Sequence, residues 1–261
     1  MTVLRVGLIG YGFASQTFHA PLIAGVPGLE LVAVSSRDAA KVRADWPTVQ
    51  VHGQPLALVN RPDIDLVIVP TPNDSHFPLA RAALLAGKHV VVDKPFTVTV
   101  AEGRELAQLA GQAGRVLSVF HNRRWDSDFL TVQQLLRDGT LGRIVHLESR
   151  FDRYRPEVRQ RWRETAGPGS GLWYDLGPHL LDQALQLFGM PLALQMDRAV
   201  VRDNAVTDDW FQAQLRYDRH RVSLHVSALV AAGPPRFAVH GTHGSFVKHG
   251  LDAQEIGRAH V

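Results

Sequence analysis

Val90-Val91-Val92-Asp93-Lys94-Pro95 decides how this chain folds. Three β-branched apolar residues in a row mark a strand buried on both faces, as in a parallel sheet. A carboxylate, an ammonium and a proline end the run, which puts Lys94 at the carboxyl edge of that sheet. In open α/β sheets this edge is where ligands bind. Pro95 fixes the chain direction and biases Lys94 toward extended backbone. Taken alone, Lys94 is a surface lysine after a strand; the flanking sequence changes that reading.

On the N-terminal side, residues 65–69 form another apolar strand and end in Pro70-Thr71-Pro72-Asn73-Asp74-Ser75-His76. The prolines forbid sheet continuation and force a loop at the same edge. Asn73 and His76 then stand beside a bound cofactor, unless Asn73 is a turn residue and His76 only starts the next helix. Residues 77–86 read as an amphipathic helix stopped by Gly87, residues 101–113 as a helix stopped by Gly114, and 116–120 as a further strand. At the start of the chain, strand 3–9 runs into Gly10-Tyr11-Gly12-Phe13-Ala14-Ser15 and a helix through Ile23. Gly10 permits the tight turn, and Gly12 lets a pyrophosphate approach the backbone. The helix start at Phe13 and Ala14 offers N–H donors and partial positive charge. Strand 29–34 ends in Ser35-Ser36-Arg37. Hydroxyls and a guanidinium suit a 2′-phosphate better than a bare ribose, so NADP is expected, with NAD as the alternative. Asp38 is either a ribose ligand or a helix N-cap. With a short strand at 49–52, the alternation predicts a doubly wound parallel sheet, a dinucleotide-binding Rossmann domain over residues 1–121.

Composition sets bounds. A chain of 261 residues, 45% apolar and 20% charged, buries one large core or two modest ones. No apolar run is long enough for a bilayer, and the N-terminus lacks the basic region and cleavage site of a signal peptide, so cytoplasmic residence without membrane contact is expected. The absence of cysteine excludes disulfides, thiolate metal sites and a cysteine nucleophile. A net charge of +3 does not call for nucleic acid.

Past residue 121 the rhythm changes. Residues 129–137 read as a helix and 144–151 as a strand. Six arginines lie within 150–163, among Phe151, Tyr154 and Trp162. They form either a loop over cofactor phosphates and a polar substrate or a solvated basic face. The flexible Gly167-Pro168-Gly169-Ser170-Gly171 leads into a helix on which Asp175 and His179, at i and i+4, share a face. Pro178 is expected in its first turn. Asp175 and His179 without a third ligand make no metal site; they remain either functional groups or a cap and a structural histidine. Strands at 192–201, 209–217, 221–230 and 236–240, with a hairpin turn at 217–221, predict a mostly antiparallel sheet covered by helices on one face. This gives an α+β substrate and oligomerisation domain over 122–261, whose open face can pair with a second subunit.

Taken in order, Gly10-x-Gly12-x-x-Ser15, Thr71-Pro72-Asn73-x-x-His76, Asp93-Lys94-Pro95 and Asp175-x-x-x-His179 resemble the Gfo/Idh/MocA oxidoreductase family over nearly the whole chain. The run Phe120-His121-Asn122-Arg123-Arg124-Trp125-Asp126 and the pair Trp162-Arg163 resemble a bacterial subgroup that includes NADP-dependent scyllo-inositol dehydrogenase. The resemblance implies that Lys94, Asp175 and His179 are catalytic. It implies that Asn73 and Asp93 lie around the nicotinamide ribose, and that Thr71, Lys94, Asn122, Trp162 and Arg163 contact the cofactor. The family usually has Glu-Lys-Pro; Asp93 is shorter and keeps the carboxylate. The implied reaction moves a hydride between NADP and a secondary alcohol of a cyclic polyol or sugar, without a metal, in a homo-oligomer built through the second domain's sheet. The competing readings are a cofactor sensor without turnover and an inactive fragment. Family members continue with more sheet and a returning helix, and Glu255-Ile256-Gly257-Arg258-Ala259-His260-Val261 back-translates to a sequencing-adapter stretch. A truncated frame with a non-native tail and an incomplete second domain is therefore expected.

Overall fold

The computed structural model describes residues 3–251, so the tail 255–261 lies outside the described residues. The chain divides into two compact units, one ending at Phe120 and the other beginning at His121.

The first unit is a six-stranded parallel sheet in the order β3-β2-β1-β4-β5-β6. Its strands are β1 (Leu4–Ile9), β2 (Leu29–Ser35), β3 (Gln50–His52), β4 (Leu66–Val69), β5 (His89–Asp93) and β6 (Leu117–Phe120). Val67 pairs with Val90 and Val69 with Val92, so the two β-branched runs lie side by side. Val67, Val69, Val90 and Val92 are fully buried on one face of the sheet, and Ile68 and Val91 between them pack into the core on the other, so both faces of these strands are apolar. The connecting helices are α1 (Ala20–Gly25), α2 (Ala39–Asp45), α3 (Pro55–Val59), α4 (His76–Leu85) and α5 (Val100–Ala113). Thr99 and Glu102 form a capping box at the start of α5, and Gly114 ends it in left-handed backbone. The strand order is that of a doubly wound Rossmann sheet, with its switch point between β1 and β4. Two features had no clear sequence signal. Helix α3 is too short for periodicity to show. The helix after Gly12 contains a π segment, Ser15–His19, that holds one residue more per turn than the pattern assumes.

The second unit carries a six-stranded sheet in the order β12-β11-β7-β10-β9-β8. Its strands are β7 (Ile144–Arg150), β8 (Ala193–Ala199), β9 (Trp210–Arg216), β10 (Arg221–Ser227), β11 (Phe237–Gly241) and β12 (Ser245–Lys248). All neighbours are antiparallel except the parallel pair β7–β10. The helices are α6 (Ser127–Arg137) and α7 (Leu172–Phe188). Phe129, Phe151, Leu180, Phe211 and Phe237 fill the core between sheet and helices. The alternate positions His146, Glu148, Gln212, Gln214 and His225 give the other sheet face a polar surface. Pro178 corrects the sequence reading: α7 begins at Leu172, so the proline lies inside the helix rather than in its first turn. The first turn comes earlier because Asp208 caps it, accepting from the Trp173 N–H at 2.7 Å. Strand β12 was not foreseen; its burial alternates weakly. Among the described residues no helix is long and apolar enough to cross a membrane.

Removing the Thr99 hydroxyl leaves the N–H of Glu102 uncapped. Thr99→Ala is expected to lower stability by about 1 kcal/mol in urea unfolding; an unchanged midpoint contradicts the cap's role.

Candidate active site

At the carboxyl end of β1, Gly10 turns the chain with φ of 92° and donates its N–H to the Ser35 carbonyl at 2.8 Å. The Ser15 hydroxyl donates back to the Gly10 carbonyl at 2.9 Å and locks the turn. A side chain at Gly12 meets nothing within 4 Å, so the space over the turn stays open to a ligand. A cavity of about 550 Å³ opens here, lined by Gly10, Gly12, Ser35, Ser36, Arg37 and Thr71. Its size is ordinary for a cofactor half-site. Phe13, largely exposed, and Ala14 begin the helix beside it.

Asp38 lines the same cavity and also serves as a helix cap. Its carboxylate accepts the Lys41 N–H at 3.0 Å and caps α2. Lys41, in the first turn of α2, also lines the cavity, and neither it nor Arg37 makes an ion pair among the described residues. Tyr11 is a further lining residue that sequence reasoning missed; burial, then its hydrogen bond to Asp45 at 2.8 Å, push its phenol up to about 12.

The ends of β4 and β5 form the next part of the edge. Asn73 is buried, and Ser75 donates to the Thr71 hydroxyl at 2.7 Å. His76 is fully buried, with its ring nitrogens 2.8 Å from the Pro95 carbonyl and 2.9 Å from the Thr71 carbonyl. It therefore ties two loops together and does not line the cavity. Asp93 is the last residue of β5, and its Oδ1 accepts the Lys94 N–H at 3.0 Å. The half-buried Lys94 follows, joined to Pro95 by a cis peptide bond. Burial raises the Asp93 carboxyl, but the His19 imidazole, the Lys94 ammonium and the Lys94 N–H outweigh it and hold it below the ordinary value.

The remaining candidates lie in the second unit. Asn122 opens the turn Asn122–Trp125, which is fastened to α7 by paired bonds from Arg124 to Asp182 at 2.7 and 2.5 Å. Asp175 and His179 lie one turn apart on α7, as their spacing requires. His179 is buried, edge-on to Phe151 at 6.3 Å. Arg163 lies 4.3 Å over the Trp162 ring and pairs with Asp175 at 3.1 Å, so these three form one contact chain. The segment bearing them is anchored by buried Arg202, which bonds Glu164 at 3.0 Å and Asp209 at 2.8 Å. Nearby, burial and then the neighbouring Arg155 push the Arg153 guanidinium down to about 10, still cationic at neutral pH. No group of three metal-ligating side chains occurs among the described residues.

The sheet order, the open glycine turn and the cavity beyond β1 and β2 define a nucleotide-binding oxidoreductase fold. The chain belongs to the Gfo/Idh/MocA oxidoreductase family: residues 4–121 match its NAD-binding Rossmann-fold domain and residues 129–247 its C-terminal domain. It is similar to the uncharacterized oxidoreductase YdgJ of Escherichia coli, at 63% identity over 97% of this chain and 73% of that protein. It is 41% identical to the NADP-dependent scyllo-inositol 2-dehydrogenase IolW of Bacillus subtilis, over 97% of this chain and 70% of that one. The solved structure of YPO2259 from Yersinia pestis superposes with a TM-score of 0.92 at 56% identity, over 99% of this chain and 75% of that one.

A carboxyl held below its unfolded value stabilises the fold above that value, near 4, and the contribution disappears as pH falls through the folded one. Wild type should therefore exceed Asp93→Asn in stability at neutral pH, with the gap narrowing as pH falls below the ordinary carboxylate value in urea titrations. A gap that widens there contradicts the depressed carboxyl.

Proposed function

We propose that the protein is an NADP-linked dehydrogenase acting on a secondary alcohol of a cyclic polyol or sugar of the inositol kind. One observation carries the cofactor half: two serines and two cations, Arg37 and Lys41, which make no ion pair among the described residues, share a cavity wall with a single acid, Asp38, whose Oδ1 is taken up by the Lys41 N–H. That set fits a 2′-phosphate, which takes charge-assisted bonds from guanidinium and ammonium. IolW, NADP-dependent by its name, supports both the cofactor and the substrate class.

On this reading Gly10, Gly12, Phe13, Ala14, Ser35, Ser36, Arg37 and Thr71 hold the adenosine and pyrophosphate portions. Asn73, Asp93, Asn122, Trp162 and Arg163 serve the rest, and His76 supports their loops. When bound, the nicotinamide supplies the hydride chemistry. Lys94 donates a hydrogen bond to the reacting oxygen and stabilises its developing negative charge. His179 takes the hydroxyl proton on an imidazole nitrogen. Asp175, held by Arg163, orients the substrate hydroxyls. The polar sheet face of the second unit serves as a subunit interface.

The test is absorbance of the reduced nicotinamide with NADP and a panel of inositols and sugars. Lys94→Ala should cut kcat roughly 100–1000-fold with NADPH binding within about threefold; unchanged turnover refutes the assignment, and binding without turnover on any substrate favours a sensor. Arg37→Ala and Lys41→Ala should each weaken NADPH roughly tenfold and leave NADH unaffected; equal losses for both cofactors refute the 2′-phosphate site.

A further inference from the structure

We propose that His19 is a positioning residue whose imidazole holds the Asp93 carboxylate in the orientation that receives the nicotinamide half of the cofactor. The inference rests on the NADP reading above and extends it to a residue with no part in the motifs. His19 ends the π segment Ser15–His19, where the Ala20 N–H donates to the Ser15 carbonyl five residues back. The extra residue in this turn brings a polar side chain into the protein interior, and such turns are frequent at functional sites. The His19 side chain is 3% exposed. Its ring packs on Phe120 with centroids 4.4 Å apart. Its Nε2 is buried, has no hydrogen-bond partner among the described residues, and faces Asp93 Oδ2 at 4.0 Å.

That distance is about one ångström beyond a hydrogen bond. A buried nitrogen left unpaired is unfavourable, and one acceptor stands in front of it. Asp93 Oδ1 is already engaged by the Lys94 N–H, so a small turn of the carboxylate about that anchor brings Oδ2 onto His19. With both oxygens engaged, the carboxylate has one orientation instead of several. The strand order says which half of a dinucleotide this serves. The cavity with Ser35, Arg37 and Lys41 lies on the β1–β2 side of the switch point, and Asp93 ends β5 on the other side. A dinucleotide spans such a switch point. His19 therefore acts on nicotinamide-side binding and leaves adenosine-side binding alone.

A histidine that merely packs on Phe120 behaves differently, and two ligands separate the cases. NADPH has both halves; adenosine 2′,5′-bisphosphate has the adenosine side only. His19→Phe and Asp93→Asn should each weaken NADPH about tenfold in calorimetric titration of the full chain, with adenosine 2′,5′-bisphosphate unchanged. The double variant should bind NADPH no more weakly than Asp93→Asn alone, because both changes break one contact. His19→Gln, which keeps a donor at similar reach, should bind within about threefold of wild type. Equal loss of both ligands, additive losses in the double variant, or unchanged NADPH binding by His19→Phe overturns the proposal. Should His19→Phe not fold, the ¹⁵N imidazole signal of His19 decides: NADPH should shift it in wild type and not in Asp93→Asn, and a signal insensitive to NADPH in wild type overturns the proposal. Wild type that binds neither ligand removes the cofactor reading itself; wild type that binds both, with His19→Phe unaffected, removes only this inference.

Discussion

Parallel strands cannot be joined by hairpins, so each strand of the first unit is followed by a crossover and all the carboxyl ends emerge at one edge. That constraint collects Gly10 after β1, Ser35 at the end of β2, Thr71 after β4 and Lys94 after β5 from across the first half of the chain. The edge is then stiffened by bonds between loops. Gly10 N–H reaches Ser35, Ser36 N–H reaches His52, and the His76 ring spans the Thr71 and Pro95 carbonyls. The loops are irregular in backbone but inherit their spacing from the ladder beneath them, in which Val67 pairs with Val90 and Val69 with Val92.

The second unit has a different problem, which is to hold an arginine-rich segment in one conformation. Its carboxylates do this. Arg150 faces Glu148 and Asp152, Arg161 pairs with Glu164 at 2.6 Å, and Arg163 pairs with Asp175. Arg202 lies buried between Glu164 and Asp209 and donates to the Arg155 and Glu157 carbonyls. A buried pair of this kind adds little net stability, but removing one member leaves an uncompensated charge, so it selects one arrangement strongly. Trp162 and Arg163 are adjacent to Glu164 in sequence and inherit that fixed position. The solvated basic face considered from sequence is thus incomplete as a description, because Arg150, Arg161 and Arg163 are paired with acids.

What the sequence made legible followed from strand boundaries. Apolar runs ending in glycine, proline or charged residues marked the carboxyl edge, and the motifs lie in the loops that follow those strand ends. Residues that act from within regular structure were harder. Lys41 lies in the first turn of α2 and belongs to no motif. His19 was hidden because a helical period of 3.6 residues fails across a π segment, and a one-residue slip changes which side chain faces inward. Pro178 was misplaced for a related reason: the start of α7 is fixed by Asp208, far away in sequence, and no local signal reveals it. Helix α3 and strand β12 are short, and their existence depends on neighbours rather than on their own pattern.

The aspartate at position 93 has a physical consequence that the usual glutamate of this family would not share. Its side chain is one carbon–carbon bond shorter, so the carboxylate stays near the backbone and accepts the N–H of the next residue. A local bond of this kind is typical of aspartate at the end of an extended segment, whereas the longer glutamate chain carries its oxygens past that N–H. The shorter residue therefore fastens its own carboxylate to the start of the Lys94–Pro95 turn, at the expense of reach into the ligand space. Holding a carboxylate there also requires countering the burial that disfavours its charge, and the neighbouring His19 and Lys94 favour the charged form. Position, ionisation and the conformation of the lysine turn are thus set together by one short side chain, which makes the identity of residue 93 a constraint on Lys94 as much as on any ligand.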